Sequence, residues 1–436
     1  MTRLVARLRS RRVRAEMQAL EHYYEPEPSD AERRRIQLEL LDGVWQHARV
    51  HVPYYAALAR ELSLPERWQS LEEFAARVPA SGRETLQKHR ERLVSTLRPP
   101  EAWGATGGST ARPIQIPRWR SEDRATRANH WVGRGWQGVE LEDRLFLLWG
   151  HSHLLGTGWR GWINARRREL DDRLLGYYRF SAYDVGDAAM QAAVERILAF
   201  RPAYLVGYSV ALDRLERAAA AQRKQLHALG IKAVIGTSEG FPYPDSAERL
   251  ADTFGCRVAM EYGAVEAIGM AYTHPQGGYR MFWHSYLAEA ERRGERWVLR
   301  LTALYPRSLP LIRYEIGDEV VLPPGSPDHV VGLARFDRVQ GRCNDYVALA
   351  DGTLVHSEVF SHAVRPCAAI RGYQVVQQAS DLRLCVTAQG ELSRADEAGL
   401  RQRLGRIHAD LAGIAIERVD ALTQTVAGKT PMILRR

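Results

Sequence analysis

Cysteine is scarce in this sequence: Cys256, Cys343, Cys367 and Cys385 are the four found in 436 residues. No two of them form a CxxC pair, so neither a structural zinc site nor a disulfide framework is predicted. A reducing compartment suits such a chain, and we expect a cytoplasmic protein.

Long hydrophobic runs are also missing. No apolar stretch approaches the roughly 20 residues that a membrane-spanning helix needs. The first residues lack the hydrophobic segment of a secretory signal. We therefore expect no stable membrane insertion.

Acidic residues are outnumbered by basic ones, 52 against 61, which gives a formal net charge of +9. Part of the excess lies near the N-terminus, at Arg3, Arg7, Arg9, Arg11, Arg12 and Arg14. Such a stretch could contact nucleic acid or an anionic membrane. Because no basic stripe with interleaved aromatic residues accompanies it, we interpret it as a solvated helix and predict no nucleic-acid partner.

The chain is long enough for one large and one small domain. Apolar residues recur at helical spacing in residues 31–41 and again in Leu71–Ala76, so residues 1–95 are predicted to be a helical lead-in. The Val52-Pro53-Tyr54-Tyr55 segment is predicted to interrupt these helices as a turn. The large domain is predicted to cover residues 1–340.

From Trp103 onward, short apolar runs alternate with helical stretches, as in an α/β fold with βαβ units. Predicted strands at 145–149, 204–207 and 233–236 each end near a glycine, and helices are predicted at 188–200 and 210–229. Ligands bind beyond the carboxyl ends of such parallel strands. Residues 295–322 favour antiparallel strands instead.

A smaller α+β unit is predicted for residues 341–436. Its pattern is strand, strand, helix, strand, helix, strand. A hinge at residues 342–345 would join it to the large domain.

A loop rich in glycine and hydroxyl side chains follows Ala105: Thr106, Gly107, Gly108, Ser109 and Thr110, then Ala111 and Arg112. Glycines let a backbone approach phosphate closely, and hydroxyls and arginine can donate to it. The GK[ST] ending of a Walker A loop is absent. Taken alone, a loop of this composition is more often a plain turn than a phosphate-binding site.

Two further motifs offer a ring and two carboxylates. Tyr262 can stack on a base, and Glu266 can hold Mg²⁺, which prefers oxygen ligands shared with phosphates. Asp318 lies in a Gly-Asp turn after a predicted strand, where a carboxylate can accept hydrogen bonds from ribose hydroxyls. An ordinary turn aspartate would look the same.

The order of these motifs resembles the adenylate-forming superfamily, and within it the phenylacetate-CoA ligase-like branch with its CapK-related proteins. The resemblance extends over nearly the whole chain. It implies a large adenylation domain and a small mobile C-terminal domain. Its more specific parts are Tyr262 to Glu266 and the segment Arg313-Tyr314 to Gly317-Asp318.

The resemblance also implies roles for individual residues. The ATP- and AMP-binding set comprises Thr106, Gly107, Gly108, Ser109, Thr110, Arg112, Ser238, Glu239, Gly240, Glu261, Tyr262, Gly263 and Asp318. Lys429, Glu266 and Arg342 are the expected catalytic residues, with Glu266 beside Mg²⁺ and Lys429 bridging the substrate carboxylate and the α-phosphate. Asn344 or Asp345 would be the hinge pivot.

An acid pocket is expected after the first predicted strand. Trp149, His151 and His153 combine aromatic walls with polar groups, which suits an aromatic or flat acid. Gly263 and Ala264 would complete this pocket. The two tryptophans of the segment, Trp149 and Trp159, could equally be core residues.

Three positions depart from the family pattern. Ala111-Arg112 stands where the loop has Gly-Lys, and arginine does not reproduce the shape of lysine. Asn344 stands where the hinge has Asp. Asp351-Gly352 stands where ligases have Arg-Gly, which helps to build their thioester-forming state.

The function implied is ATP-dependent activation of a carboxylic acid to an acyl-adenylate, followed by transfer to the thiol of CoA. Transfer to a carrier-protein thiol or to an amine stays open as an alternative, and so does a nucleotide-binding protein without ligase activity. ATP, Mg²⁺ and CoA are the expected cofactors and co-substrates. A homodimer is compatible with the sequence.

Overall fold

The chain was analysed as a computed structural model that describes residues 2–105, 115–149, 158–182, 186–342, 346–351, 354–364, 366–378, 381–424 and 430–435. Its helices are α1 Thr2–Glu21, α2 Asp30–His51, α3 Pro53–Glu61, α4 Leu71–Arg77, α5 Arg83–Lys88, α6 Arg90–Leu93, α7 Arg120–Gly135, α8 Gly158–Leu175, α9 Asp187–Phe200, α10 Ser209–Ala219, α11 Arg223–His227, α12 Ser246–Phe254, α13 Ser357–Val364, α14 Arg394–Gly405 and α15 Ala409–Ala412.

The strands of the same residues are β1 Ala102–Ala105, β2 Gln115–Arg118, β3 Leu145–Leu148, β4 Tyr177–Phe180, β5 Tyr204–Tyr208, β6 Ala233–Thr237, β7 Arg257–Tyr262, β8 Ala271–Thr273, β9 Tyr279–Met281, β10 Tyr286–Arg293, β11 Arg296–Ala303, β12 Tyr314–Val321, β13 His329–Val331, β14 Arg335–Phe336, β15 Arg338–Arg342, β16 Tyr346–Ala348, β17 Leu354–His356, β18 Ile370–Gln378, β19 Asp381–Ala388, β20 Ala415–Arg418 and β21 Ile433–Arg435. Among these residues, no helix is long and apolar enough to cross a membrane.

The helical lead-in is present as α1 to α6. Ser29 accepts a hydrogen bond from the Glu32 amide at 3.2 Å and so caps α2. The predicted turn at Val52–Tyr55 is wrong, because only Val52 separates α2 from α3. Pro53 occupies the first turn of α3, where its missing N–H costs no hydrogen bond.

Parallel strands form the centre of the large sheet, whose order is β14-β9-β8-β7-β6-β5-β3-β4. β4, β3, β5, β6 and β7 are parallel to their neighbours, as the βαβ pattern predicted. Every residue of β5 and β6 is buried. One face of these strands packs on α9, α10 and α12, and the other packs on α7. Strands covered on both faces have continuous apolar sequences for this reason.

The helix predicted at 210–229 is wrong in its continuity. It comprises α10, a 3₁₀ turn at Ala220–Gln222 and the short α11. Neither glycine nor proline marks the break, and the Ala218–Ala221 run there has no side chain beyond a methyl group. Periodicity therefore predicted one helix where two exist.

The second sheet is antiparallel, in the order β13-β10-β11-β12-β15. The antiparallel expectation for residues 295–322 is confirmed by the pairing of β11 with β12. β12 also pairs with β15, which sets Asp318 directly opposite Arg342. Arg342 is therefore the last residue of this sheet.

Residues after the sheet have a hydrophobic core of their own. Its buried members all lie between Val347 and Ile433, and its four-stranded sheet has the order β20-β19-β18-β21. The unit has two strands between α13 and α14 where the sequence predicted one. It also ends in two strands, β20 and β21, with the short α15 before them.

Candidate active site

The carboxyl ends of β5, β6 and β7 lie side by side at one edge of the large sheet, because these strands are parallel and in register. Ser209 follows β5, and its hydroxyl donates to the Glu239 carbonyl at 2.8 Å. Ser238 adopts φ 76°, a conformation that is uncommon for a residue other than glycine. The predicted loop of Ser238, Glu239 and Gly240 is thus fastened to the start of α10.

Tyr262 is the last residue of β7. Its hydroxyl donates to Asp318 Oδ2 at 2.7 Å, which joins the end of the parallel sheet to the antiparallel one. Tyr279 and Phe336 meet its ring edge-on, with centroids 6.2 and 6.1 Å away. The structure therefore brings together two of the predicted nucleotide-binding residues, 56 positions apart in sequence.

Asp318 is buried in β12, and Gly317 before it has φ 84°. A positive φ suits glycine because it has no Cβ. The Cα atoms of Asp318 and Arg342 are cross-strand partners. The start of the predicted hinge thus lies beside the predicted ribose-binding carboxylate, although the side chain of Arg342 is outside the described residues.

Glu266 lies in the short loop between β7 and β8. Ala264 and Ala267 exchange backbone hydrogen bonds of 2.9 and 3.2 Å, which shapes this loop as a tight turn. A Cβ at Gly263 would lie 3.0 Å from the Gly269 nitrogen. This close approach of two backbone segments favours glycine at position 263. Glu266 lines a narrow pocket whose other members are Arg118, Glu122, Asp123, Thr126, Ile268, Tyr305 and Arg307.

The strands that flank the predicted phosphate loop reach the same place. β1 and β2 pair antiparallel, with Ala105 opposite Gln115 at the end of the hairpin. A Cβ at Gly104 would contact Val265 at 3.4 Å, and Arg118 donates to the Val265 carbonyl. Thr106, Gly107, Gly108, Ser109, Thr110 and Arg112 lie outside the described residues, but both strands leading to them are adjacent to the Glu266 loop.

The Glu261 side chain points away from Tyr262, because successive residues of a strand face opposite sides. It meets His130 Nδ1 at 2.8 Å and Arg134 Nη2 at 3.6 Å, and it accepts from the Tyr272 hydroxyl. Burial alone would raise the pKa of Glu261, but the charges and hydrogen bonds of these partners outweigh it and hold the pKa at about 2. With its carboxylate fixed against α7, Glu261 can reach a nucleotide only through its backbone.

Aromatic residues line the edge near β3. The rings of Trp149 and Tyr208 lie with centroids 4.4 Å apart, at the ends of β3 and β5. His151 and His153 lie outside the described residues. Tyr208 and Ser209 were not predicted as site residues, although their position at a strand's carboxyl end was a usable signal.

A cavity of about 570 Å³ separates the C-terminal unit from the same edge of the large sheet. Asp213, Arg214 and Tyr243 line one wall, and Gln424 and Thr430 line the other. Lys429 lies outside the described residues, as do Asn344 and Asp345. Gln424 and Thr430, which flank residues 425–429, thus face the edge that holds Tyr243 and α10.

Comparison with known proteins gave no match to any family model. The protein CapK of Staphylococcus aureus is 24% identical over 195 residues, which are 44% of this chain and 42% of that protein. The match thus spans less than half of that relative's length.

Solved structures of 2-hydroxyisobutyryl-CoA ligase resemble the chain over most of its length. Its postadenylation state, in complex with 2-HIB-AMP, superimposes with a TM-score of 0.69 at 18% identity, covering 93% of this chain and 90% of that one. Its thioesterification state gives 0.55 at 17% identity, covering 94% and 91%. The expected fold is confirmed: this chain has the α/β fold of the adenylate-forming ligases.

Proposed function

We propose that this protein activates a carboxylic acid with ATP to an acyl-adenylate and then transfers the acyl group to the thiol of CoA. The observation that supports this best is the hydrogen bond from Tyr262 to Asp318 at the carboxyl end of β7. It joins an aromatic ring and a buried carboxylate in a fold shared with a ligase whose structure contains 2-HIB-AMP.

In this proposal the nucleotide lies across the ends of β6 and β7. The Tyr262 ring stacks on the adenine, and the Ser238–Gly240 loop borders it. Asp318 accepts hydrogen bonds from the ribose hydroxyls, because a carboxylate has several acceptor sites beyond the one that Tyr262 uses. The 106–112 loop, whose flanking strands contact Val265, then surrounds the phosphates.

Magnesium fits the Glu266 pocket by the chemistry of its lining. Glu266 and Asp123 both line one narrow pocket, and Mg²⁺ binds one or two carboxylates together with phosphate oxygens. Glu266 would hold the ion, and a bound Mg²⁺ would neutralise charge on the triphosphate. Arg118 and Arg307 in the same lining would attract the anionic phosphates.

The chemical step needs positioning more than covalent catalysis. An oxygen of the substrate carboxylate attacks the α-phosphorus of ATP, the bond to the β-phosphate oxygen breaks, and pyrophosphate leaves. Lys429 holds the attacking carboxylate against the α-phosphate. Gln424 and Thr430, which flank residues 425–429 in the sequence, line the cavity at the sheet edge, and this supports the role proposed for Lys429.

Two arrangements of the units are expected in one catalytic cycle. The structures of 2-hydroxyisobutyryl-CoA ligase are of one protein, yet the TM-score falls from 0.69 for its postadenylation state to 0.58 for its open state and 0.55 for its thioesterification state. We therefore infer that the present arrangement corresponds to the adenylate-forming half of the cycle. Rotation at Asn344 or Asp345 would produce the other half.

The acceptor has a second candidate, a carrier-protein thiol or an amine. Where the resembled ligases have arginine, Asp351 lies 3.0 Å from His408 Nε2 within the C-terminal unit. An aspartate engaged in this way does not replace the arginine that helps to build the thioester-forming state of the resembled ligases. Product analysis with CoA, carrier protein and amines separates the acceptors.

The acid is expected to be flat or aromatic. Trp149 and Tyr208 form an aromatic pair at the carboxyl ends of β3 and β5. In the order of the sheet these strands follow β7 and β6, where we place the nucleotide. Rings at this position favour apolar, planar ligands with few polar groups. His151, His153 and Ala264 remain the predicted polar and small members of this pocket.

Exchange of labelled pyrophosphate into ATP, measured with a panel of acids, tests the adenylation step. We expect exchange with at least one acid, and a loss of about a hundredfold or more in Lys429→Ala, since the lysine aligns both reactants. Lys224→Ala, which removes an exposed lysine of α11, should leave exchange unchanged. Binding of ATP without exchange for any acid would support the nucleotide-binding alternative instead.

A further inference from the structure

Helix α8 exposes an apolar stripe to solvent. Trp159 is 70% exposed, Trp162 62%, Leu170 59% and Ile163 37%. Their spacing of three, four and seven residues places them on one face of the helix. Three tryptophans are exposed among the described residues: Trp103, Trp159 and Trp162. The last two belong to this one helix.

The opposite face of α8 attaches the helix to the protein. Asp172 is buried there and accepts from Arg179 Nε of β4 at 2.7 Å. Ala165 and Arg168 lie on the same side by helical geometry, and both are partly buried. The tryptophan stripe is therefore the outward face of a firmly attached helix.

Basic residues outnumber acidic ones in α8 and in the neighbouring α1. α1 packs beside α8, and it contains six arginines and two glutamates. α8 contains five arginines and three acidic residues. The 38 residues of the two helices therefore have a formal net charge of +6, and the whole chain has +9. On the stripe itself, Arg166 and Arg173 share one carboxylate, Glu169, at 2.8 and 2.7 Å.

We propose that this basic aromatic face, formed by the outward side of α8 with α1 beside it, binds the surface of an anionic lipid bilayer. Tryptophan prefers the membrane–water interface, where its ring is apolar and its N–H stays hydrated. Neighbouring arginines are attracted to anionic headgroups. Because its other face is attached to the protein, α8 would lie against the interface with the exposed stripe toward the lipid, without crossing the bilayer.

Charge argues against the second copy of this chain as the occupant. A two-fold dimer through this face would bring the same residues of both copies together. The exposed α8 arginines Arg166, Arg167 and Arg173 would then lie near their own copies, and like charges repel each other. An anionic surface is complementary to the same face.

Nucleic acid would also satisfy the arginines, but it does not account for the aliphatic side chains. Ile163 and Leu170 lie between the tryptophans and Arg173 along the stripe, and they offer neither stacking nor hydrogen bonding to bases. In a bilayer they reach the boundary between headgroups and acyl chains. The mixture of tryptophan, isoleucine, leucine and arginine therefore favours lipid.

The face lies close to the proposed acid pocket. α8 connects the parallel strands β3 and β4, so its N-terminal end, with Trp159 and Trp162, lies toward the carboxyl ends of these strands, where Trp149 follows β3. Membrane binding does not depend on the proposed ligase activity. It would hold that edge near the bilayer surface whichever acid is used.

Co-sedimentation of the full chain with vesicles tests the proposal. We expect binding to phosphatidylglycerol-containing vesicles, little binding to pure phosphatidylcholine vesicles, and weakening as salt concentration rises. Trp159→Ser with Trp162→Ser should weaken vesicle binding at least about tenfold, since the rings anchor the helix in the interface. Arg166→Gln with Arg167→Gln and Arg173→Gln should weaken it by a similar factor.

Matched controls come from elsewhere on the surface. Trp103 is 56% exposed and has Arg90 over its ring at 5.5 Å, much as Arg166 lies 5.8 Å from the Trp162 ring. Trp103→Ser should leave vesicle binding unchanged, and so should the triple change Arg196→Gln, Arg257→Gln and Arg406→Gln at exposed sites. Circular dichroism and the unfolding temperature of every variant establish that it is folded.

Three results would overturn the proposal. One is no binding to anionic vesicles by the folded wild-type chain. Another is equal loss of vesicle binding in the control variants. The third is retention of DNA or RNA by the wild type, lost in the α8 variants, without vesicle binding, which would make nucleic acid the occupant.

Discussion

The hydroxyl of Tyr262 is a single atom that links two sheets. It donates to Asp318 Oδ2 at 2.7 Å, and it thereby fixes the carboxylate that we propose binds ribose. The ring of Tyr262 is held separately, by edge contacts with Tyr279 and Phe336. The two functions of this side chain can therefore be separated by mutation.

Tyr262→Phe keeps the ring and removes the hydroxyl. We expect the KM for ATP in the exchange assay to rise about tenfold, because a hydrogen bond to a charged group contributes about 1.5–3 kcal/mol. Tyr279→Phe removes a hydroxyl from the neighbouring ring and is the matched control. An unchanged KM in Tyr262→Phe would contradict the role of this bond in orienting Asp318.

Glu261 offers a residue-scale test of stability against pH. Its pKa in the folded protein is about 2, against an ordinary 4.5. Because this pKa is lowered, ionised Glu261 stabilises the folded protein at pH values above about 4.5. The stabilisation is lost as the pH falls from about 4.5 towards 2. The full effect is of the order of 3 kcal/mol, at 1.36 kcal/mol for each pKa unit.

Urea unfolding at pH 7 and at pH 3 measures this contribution. Glu261→Gln should lower the free energy of unfolding at pH 7 and reduce its dependence on acid. Glu248→Gln, at an exposed position of α12, should have no such effect. A variant at 261 that matches the wild type at both pH values would exclude the ion-pair cluster as a stabilising unit.

At the scale of elements, the carboxyl end of β6 is packed closely against residues at the ends of β5 and β7. A Cβ at Gly236 would lie 2.6 Å from Met260 Sδ and 2.8 Å from Ser209 Oγ. Both distances are shorter than Cβ contacts in proteins, so the side chains of Met260 and Ser209 would have to move. These ends hold Ser209 and Tyr262.

Gly236→Ala should destabilise the fold by about 1–3 kcal/mol, the usual cost of overpacking a core. It should also reduce nucleotide binding, because a displaced Ser209 hydroxyl would no longer hold the Glu239 carbonyl of the 238–240 loop. Gly240→Ala is the control for stability, since nothing lies within 4 Å of a Cβ there. Thermal unfolding of both variants measures this difference in stability. Equal unfolding midpoints would show that position 236 tolerates the extra methyl group.

Element prediction from sequence succeeded where periodicity and strand ends were clear. Three of the five parallel strands (β3, β5 and β6), the antiparallel 295–322 segment and the helical lead-in are largely as predicted, whereas β4 and β7 were not predicted as strands. The pattern failed at Val52–Tyr55, because proline is compatible with both a turn and a first helical position. It failed at 219–222 because alanine gives no signal for a break.

At the scale of the whole molecule, the hydrophobic clusters divide the chain. The core of the C-terminal unit draws its buried residues only from 347–433, and the other cores end at Phe336. Separate cores are a requirement for a unit that moves as a rigid body. β15 belongs to the large unit, because it completes the sheet next to β12.

Truncation after Arg342 should therefore leave a folded large unit. It should still bind AMP, because Tyr262 and Asp318 remain, and it should show no pyrophosphate exchange, because Lys429 is lost. Calorimetric titration with AMP and circular dichroism measure both properties. Truncation after Asp337 removes β15 and exposes the edge of β12, so it should unfold at a lower temperature; equal stability of the two would contradict this boundary.

The sequence by itself determined the fold class and the order of the nucleotide-binding motifs. Hydrophobic periodicity and glycine-rich turns each depend on a few consecutive residues and can be recognised without the tertiary structure. Tertiary structure alone decided which of those residues meet. It placed Tyr262 against Asp318, turned Glu261 away to His130 and Arg134, and brought α1 beside α8. Contacts between residues distant in sequence depend on how sheets and helices pack, and no local pattern encodes them.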